Sequence, residues 1–219
     1  MIKNKSIRVA VLVSGNGTNL QEIIDSTTTG KININIVAVI SENPSAYALT
    51  RAKKSGISTH LIDFHKFKTR KIFDEELEKL LITLNLELIV LAGYMRILAE
   101  STVNNFIGKI INIHPSLLPA FPGLNTYERV IQSKDRWHGT SVHFVTVELD
   151  GGPSFLQYRI KIGPNDTASK LKARVQKGEY EIYPLAIEWF ADKRVYFSKG
   201  RAFFDGNHLQ KPIVIDEKC

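Results

Sequence analysis

Along this chain, short runs of consecutive apolar residues alternate with stretches in which apolar residues return every three or four positions. Residues 7–13 are a β-branched apolar run, which predicts a buried strand. Residues 19–25 read as a helix ended near Gly30. Residues 34–40 read as a second strand, and 46–54 as a helix stopped by Gly56. A short third strand is expected at 59–62, a well-patterned helix at 73–84 and a fourth, largely apolar strand at 86–91. A mostly apolar segment from Phe106 to Ile111 also reads as strand, and 109–113 is the fifth strand of the series. This βαβαβ rhythm implies a mostly parallel sheet with helices on both faces. From His138 the pattern changes: 141–147 and 155–162 read as two strands joined by Asp150-Gly151-Gly152, an antiparallel extension. A long helix is expected over 168–190, bent near Tyr183-Pro184, and a last strand or hairpin over 195–204. There is no repeat, low-complexity stretch or linker, so residues 1–219 read as a single α/β domain.

Composition narrows this little. With 219 residues, 43% hydrophobic and 23% charged, the chain suits one sizeable globular core. Its single cysteine, Cys219, excludes an internal disulfide and a cysteine-based metal site within one chain. Residues 1–5 lead straight towards the first strand, so no secretory signal is expected, and no apolar run approaches the ~20 residues of a membrane span. A cytoplasmic location follows as the expectation. The net charge of +7 raises the question of nucleic acid. The basic residues are scattered, however, and no nucleic-acid-reading motif accompanies them. Lys170, Arg174 and Lys177 are spaced like one solvated helix face. Neither a nucleic-acid nor a membrane partner is expected.

The chemistry concentrates in Ile111-Asn112-Ile113-His114-Pro115-Ser116-Leu117-Leu118-Pro119. A strand alternates its faces with period two, so Asn112 and His114 point the same way, and Pro115 ends the strand there. An amide and an imidazole are thus aimed at one point. A second segment, His138 to Val145, runs into Glu148-Leu149-Asp150-Gly151-Gly152-Pro153, which sets an acid on a glycine-rich turn. Imidazole, amide and carboxylate at strand ends suit acid–base chemistry on an acyl group. His138 and His143 are five apart in one strand and face opposite ways, which argues against zinc; an orienting or structural role is expected for both, and no metal. The first strand ends in Ser14-Gly15-Asn16-Gly17-Thr18-Asn19-Leu20. Such a turn exposes backbone N–H groups at a helix start, which suits a phosphate. Leu20 replaces the third glycine of the dinucleotide fingerprint, so that motif fails. A tight turn with a helix cap explains the same residues without a ligand.

Together these elements resemble the glycinamide ribonucleotide formyltransferase family, the folate-dependent enzymes of purine biosynthesis. The likeness runs through the 14–20 loop, Ala92-Gly93-Tyr94-Met95-Arg96-Ile97-Leu98, the 112–119 element, the 138–153 block, Ala173-Arg174-Val175-Gln176 to Glu179, and Ile182-Tyr183-Pro184. It implies a Rossmann-like fold, with a phosphate-binding N-terminal half and a folate-binding, catalytic C-terminal half. It implies 10-formyltetrahydrofolate as cosubstrate, glycinamide ribonucleotide as acceptor, no metal, and a monomer or homodimer. By the same resemblance Asn112, His114 and Asp150 are the catalytic residues. Gly17, Thr18 and Asn19 hold the substrate phosphate, and Glu179 receives the rest of the ribonucleotide. Arg70, Met95, Arg96, Ile97, Leu98, Val145 and Asp150 line the folate site, with Arg70 near the glutamate carboxylates.

Ala120, Asn125, Tyr127 and Val147 depart from the family's common lysine, histidines and aspartate, and none belongs to the catalytic trio. Methionyl-tRNA formyltransferase, with its additional C-terminal domain, and formyltetrahydrofolate hydrolase, with its extra N-terminal domain, are the rival readings. A non-catalytic nucleotide-binding protein would need the 15–19 loop but not the trio.

Overall fold

The structure, a computed structural model, describes residues 6–218; Cys219 and the 1–5 segment lie outside the described residues. The chain divides into two compact units, residues 1–111 and 112–219.

The first unit carries four parallel strands, β1 (Ile7–Leu12), β2 (Ile34–Ser41), β3 (Thr59–Leu61) and β4 (Leu88–Leu91), in the order β4-β1-β2-β3. β1 has a neighbour on each side, and Val9, Ala10, Val11 and Leu12 have no exposed surface. Successive residues point to opposite faces of the sheet, so both faces are covered here, and that is why this strand is continuously apolar rather than alternating. Between the strands run α1 (Thr18–Thr28), α2 (Tyr47–Lys54), a short 3-10 turn (Phe64–Lys66) and α3 (Arg70–Thr83), with α4 (Glu100–Asn105) after β4. α1 buries Leu20, Ile23 and Ile24, one stripe at helical spacing. Leu20 therefore stands where a dinucleotide site needs glycine because it is a core residue of α1. α3 starts on Thr69, whose Oγ1 accepts the Ile72 N–H at 3.3 Å.

The second unit begins within β5 (Ile110–His114) and holds β6 (Trp137–Phe144), β7 (Ser154–Lys161) and β11 (Ile213–Asp216), in the strand order β11-β7-β6-β5. β6 and β7 are antiparallel, as expected, and β11 is parallel to β7. A small second sheet contains β8 (Val195–Ser198), β9 (Arg201–Phe204) and β10 (Asn207–His208); the last strand or hairpin expected over 195–204 is the hairpin β8–β9, and two further short strands follow it. α5 (Thr126–Ser133) and the 24-residue α6 (Ala168–Ala191) complete the unit. α6 starts on Thr167 and contains Pro184. It lies close against β7 at Gly178, where a Cβ would come within 2.1 Å of the Tyr158 ring. Only glycine leaves α6 that close, and the approach sets the place of its neighbour Glu179.

The fold is thus α/β and Rossmann-like, with mostly parallel strands and an antiparallel pair late in the chain. Three local expectations change. Residues 106–108 form a turn after α4 rather than strand. α4, α5, β10 and β11 carry no apolar pattern to mark them in the sequence: α4 and α5 bury only two residues each, and β10 and β11 none. Arg174 is not part of a solvated face. It is half-buried, bonds Asp166 at 2.7 Å and the Lys161 carbonyl at 2.9 Å, and pairs with Glu217, so it ties the segment after β11 to α6. Among the described residues no helix is long and apolar enough to cross a membrane.

Candidate active site

The strand end that carries the expected chemistry is fixed by a buried polar network. β5 stops at Pro115, and the 116–120 loop that follows must bond its backbone without a partner strand. Ser141 on β6 answers this need. Its Oγ donates to the Ser116 carbonyl at 2.7 Å and accepts the Leu118 N–H at 2.9 Å. Gln157 on β7 donates from Nε2 to the Leu118 carbonyl at 2.8 Å and to Ser141 Oγ at 2.9 Å. Thr140 Oγ1 donates to the His114 carbonyl at 2.9 Å. These side chains hold the backbone that holds His114.

Asn112 and His114 do share a side, and β6 brings a second imidazole to it. His143 Nδ1 lies 2.9 Å from the Phe144 carbonyl. A carbonyl only accepts, so Nδ1 carries the hydrogen. Burial pushes the His143 pKa down to about 4, and the ring is neutral at neutral pH. Its Nε2 is then a bare acceptor, and Asn112 Nδ2 donates to it across 3.2 Å. This bond fixes which end of the Asn112 amide faces β6. It leaves the second Nδ2 hydrogen for another acceptor.

His114 is buried and held in the same manner. Its Nε2–H donates to the Phe121 carbonyl at 3.0 Å, so Nδ1 is the nitrogen left for chemistry. Asp150 Oδ2 lies 3.4 Å from that Nδ1, long for a hydrogen bond but within ion-pair range. Asp150 Oδ1 stands 3.8 Å from His143 Nε2, and Oδ2 also accepts the Gly123 N–H at 2.8 Å. Asp150 adopts φ +51°, a left-handed conformation that aspartate tolerates. The turn behind it packs so tightly that a Cβ on Gly152 would sit 1.9 Å from the Phe144 carbonyl. Asp150 is therefore both turn former and close neighbour of the His114 ring.

Phe121 was not anticipated. It is a bulky residue at φ +54°, a conformation with a real steric cost, and its carbonyl orients His114. Arg129 on α5 braces this turn, donating to the Pro122 carbonyl at 2.5 Å with its guanidinium 5.5 Å from the Phe121 ring centre. The only sequence signal was Pro122-Gly123, which marks a turn but not its purpose.

His138 has different surroundings from His143. It is 1% exposed, lies edge-on to Tyr127 (5.3 Å between ring centres) and Phe121 (6.4 Å), and neither ring nitrogen has a hydrogen-bond partner. Burial first, and the His114 charge second, lower its pKa to about 4. Unfolded, such a ring titrates near ~6.5. Between these two values the unfolded chain binds more protons than the folded one. Stability therefore falls as pH drops from about 6.5 to about 4, with a limiting slope of ~1.4 kcal/mol per pH unit for each such ring. His138→Phe is expected to flatten that slope by one histidine's share. Urea midpoints between pH 4.5 and 7.5 measure it, and an unchanged slope refutes this account of His138.

Within the first unit, the 14–20 loop makes the helix start that its sequence suggests. Gly17 caps α1 at φ +75°, and a Cβ there would meet Ala48 Cβ at 2.6 Å, so Gly17 brings the loop against α2. Thr18 and Asn19 open the helix. Arg51 of α2 donates to the Asn16 carbonyl and to Asn16 Oδ1, both at 2.8 Å. The expected folate residues divide. Met95 and Ile97 are exposed, whereas Leu98 is buried. The Arg96 guanidinium packs over the Phe64 ring, 3.2 Å from its centre. Arg70 reaches the same segment, donating from Nη2 to the Ile97 carbonyl at 2.8 Å and from Nε to Asp74 at 3.3 Å. In the second unit Val145 is half-buried, while Val147 and Leu149 are exposed on the turn before Asp150. Glu179 is buried on α6. Its charge, after burial itself, helps push the Tyr127 phenol well above its usual range. Among the described residues no group of three or more histidine, cysteine, aspartate or glutamate side chains is arranged so that it could hold a metal ion.

The profile of the formyl transferase family matches residues 7–187. The phosphoribosylglycinamide formyltransferase of Escherichia coli is 45% identical over 203 residues, 93% of this chain and 96% of that protein. The enzyme of the same name from Haemophilus influenzae is 46% identical over 210 residues, 96% of this chain and 99% of that one. The solved structure of the Coxiella burnetii phosphoribosylglycinamide formyltransferase superposes with a TM-score of 0.91 at 44% identity, covering 95% of this chain and 99% of that one.

Proposed function

The chain belongs to the formyl transferase family and transfers a formyl group to the amine of 5'-phosphoribosylglycinamide in purine biosynthesis, and we propose that the donor is 10-formyltetrahydrofolate and that Asn112, His114 and Asp150 carry the transfer. The observation that supports these roles best is the convergence of the His114 Nδ1 and the Asp150 carboxylate beside an Asn112 amide whose orientation His143 dictates.

The glycinamide amine attacks the formyl carbon. A new C–N bond forms, and the carbonyl π pair moves to oxygen. The developing oxyanion needs a donor already in place. Asn112 supplies its second Nδ2 hydrogen, and because an amide does not titrate the donor is present at every working pH. The attacking nitrogen becomes cationic and must lose a proton, while the departing folate nitrogen must gain one. His114 Nδ1 is the group that moves it, since its Nε2 is occupied by Phe121. Asp150 faces that Nδ1 and accepts from it when it is protonated. Collapse of the intermediate breaks the old C–N bond and yields formylglycinamide ribonucleotide and tetrahydrofolate. Gly17, Thr18 and Asn19 take the ribonucleotide phosphate, and Glu179 takes ribose hydroxyls. Met95 to Leu98 and Val145 to Asp150 line the folate, with Arg70 directed at its glutamate.

The loop assignment is tested by kinetics. The phosphate is remote from the reacting amine and unchanged by the reaction, so its binding energy appears mainly as uniform binding. Asn19→Ala removes one charge-assisted donor, worth ~1.5–3 kcal/mol. The KM for the ribonucleotide is expected to rise by about tenfold or more while that for the folate stays nearly constant. A weakened folate with an untouched ribonucleotide assigns the loop to the wrong ligand.

A further inference from the structure

Ser14 is the last residue before the phosphate loop, and it is 7% exposed. Its polar atoms are committed in three directions. Its N–H donates to the Gly93 carbonyl at 3.1 Å, and its Oγ accepts the Met95 N–H at 2.8 Å. Its carbonyl accepts Asn43 Nδ2 at 2.9 Å. The first two bonds grip the beginning of the 93–98 segment from both sides of Tyr94. That segment is held again further on, by Arg70 on the Ile97 carbonyl at 2.8 Å. The phosphate loop is fixed on its far side by the Ala48 N–H on the Gly15 carbonyl at 3.1 Å and by Arg51 on Asn16. Each loop therefore has its own anchor, and Ser14 is a joint bonded to the backbone of both. A shift of the 15–19 backbone around a phosphate moves the acceptor of the Met95 N–H. A shift of Met95 around a folate pulls on the start of the phosphate loop.

We infer that Ser14 is a positioning residue that couples the two substrate loops, so that each substrate tightens the binding of the other. The inference rests on the loop assignments under Proposed function. Ser14 touches neither substrate and acts through Met95 and Gly15. Coupling of this kind is reciprocal by thermodynamic necessity. Its size is bounded by the bond that carries it. One neutral hydrogen bond corresponds to about a three- to tenfold change in affinity.

The test is calorimetric titration with tetrahydrofolate, the unreactive product, in the presence and absence of glycinamide ribonucleotide. In the wild type, the ribonucleotide is expected to tighten tetrahydrofolate about three- to tenfold, and tetrahydrofolate to tighten the ribonucleotide by the same factor. In Ser14→Ala the factor falls close to one, although each ligand still binds alone. Ser14→Cys, with a similar volume and a weaker acceptor, gives a factor between the two and decides the matter if the alanine variant does not fold. A purely structural Ser14 lowers the melting temperature and leaves the coupling factor intact. Equal factors in wild type and in either variant therefore overturn the inference, as does a wild-type factor of one with both ligands bound. If the wild type binds no tetrahydrofolate at all, the loop assignments fail, and the inference falls with them.

Discussion

His114→Ala is expected to lower kcat by at least about 10² while the protein still folds, the scale on which a positioned acid–base group acts. The imidazole has one committed nitrogen and one available, and the available one faces a carboxylate. In the proposed mechanism, removing the ring removes the imidazole that carries the proton from the attacking amine to the departing nitrogen. Its neighbours cannot substitute. His143 and His138 have pKa values near 4, and His143 presents Nε2 to Asn112. Asp150→Asn keeps the shape and the Gly123 contact geometry but removes the charge opposite Nδ1, and a loss on the same scale is expected. Steady-state kinetics on variants whose circular dichroism matches the wild type gives the answer. Near-normal kcat in folded His114→Ala removes its catalytic role.

Asn112→Ala is expected to cost kcat about 10²–10³, the range measured when one preorganised oxyanion donor is deleted. The pH dependence of the loss separates this effect from the first. Asn112 has no titrating group, so the kcat–pH profile keeps its shape and drops in height, whereas loss of His114 alters the shape. Asn112→Asp is the sharper variant. It sets a carboxylate against both the bare His143 Nε2 and the developing oxyanion, and is expected to be worse than alanine. His143→Ala is expected to act through Asn112, because it frees the amide to rotate. A folded Asn112→Ala enzyme within a few-fold of wild-type kcat places the oxyanion elsewhere.

β1, β2, β4 and the long helices are legible because each buries enough of its length for a pattern to appear. β1 is continuously apolar because both its faces are buried, and α6 shows its buried stripe over 24 residues. β11 escaped notice for the opposite reason. It is four residues long, alternates half-buried with exposed positions, and pairs with a strand more than fifty residues away. At the site, period-two geometry correctly put Asn112 and His114 on one side. It offered no way to see that His143 orients the amide, since that follows from where β6 lies beside β5. Phe121 was invisible because nothing in a phenylalanine announces φ +54°; the surrounding turn and Arg129 impose it. Arg174 reads as part of a solvated face because spacing along a helix does not reveal a partner 43 positions further on.

Transfer between two substrates is distinguished from hydrolysis by following deformylation of 10-formyltetrahydrofolate by the purified protein with and without 5'-phosphoribosylglycinamide. Tetrahydrofolate and formylglycinamide ribonucleotide are expected in equal amounts when both substrates are present, with almost no loss of formyl group when the ribonucleotide is left out. Equal turnover of the folate without the ribonucleotide, with formate as the product, would make the protein a hydrolase and contradict transfer.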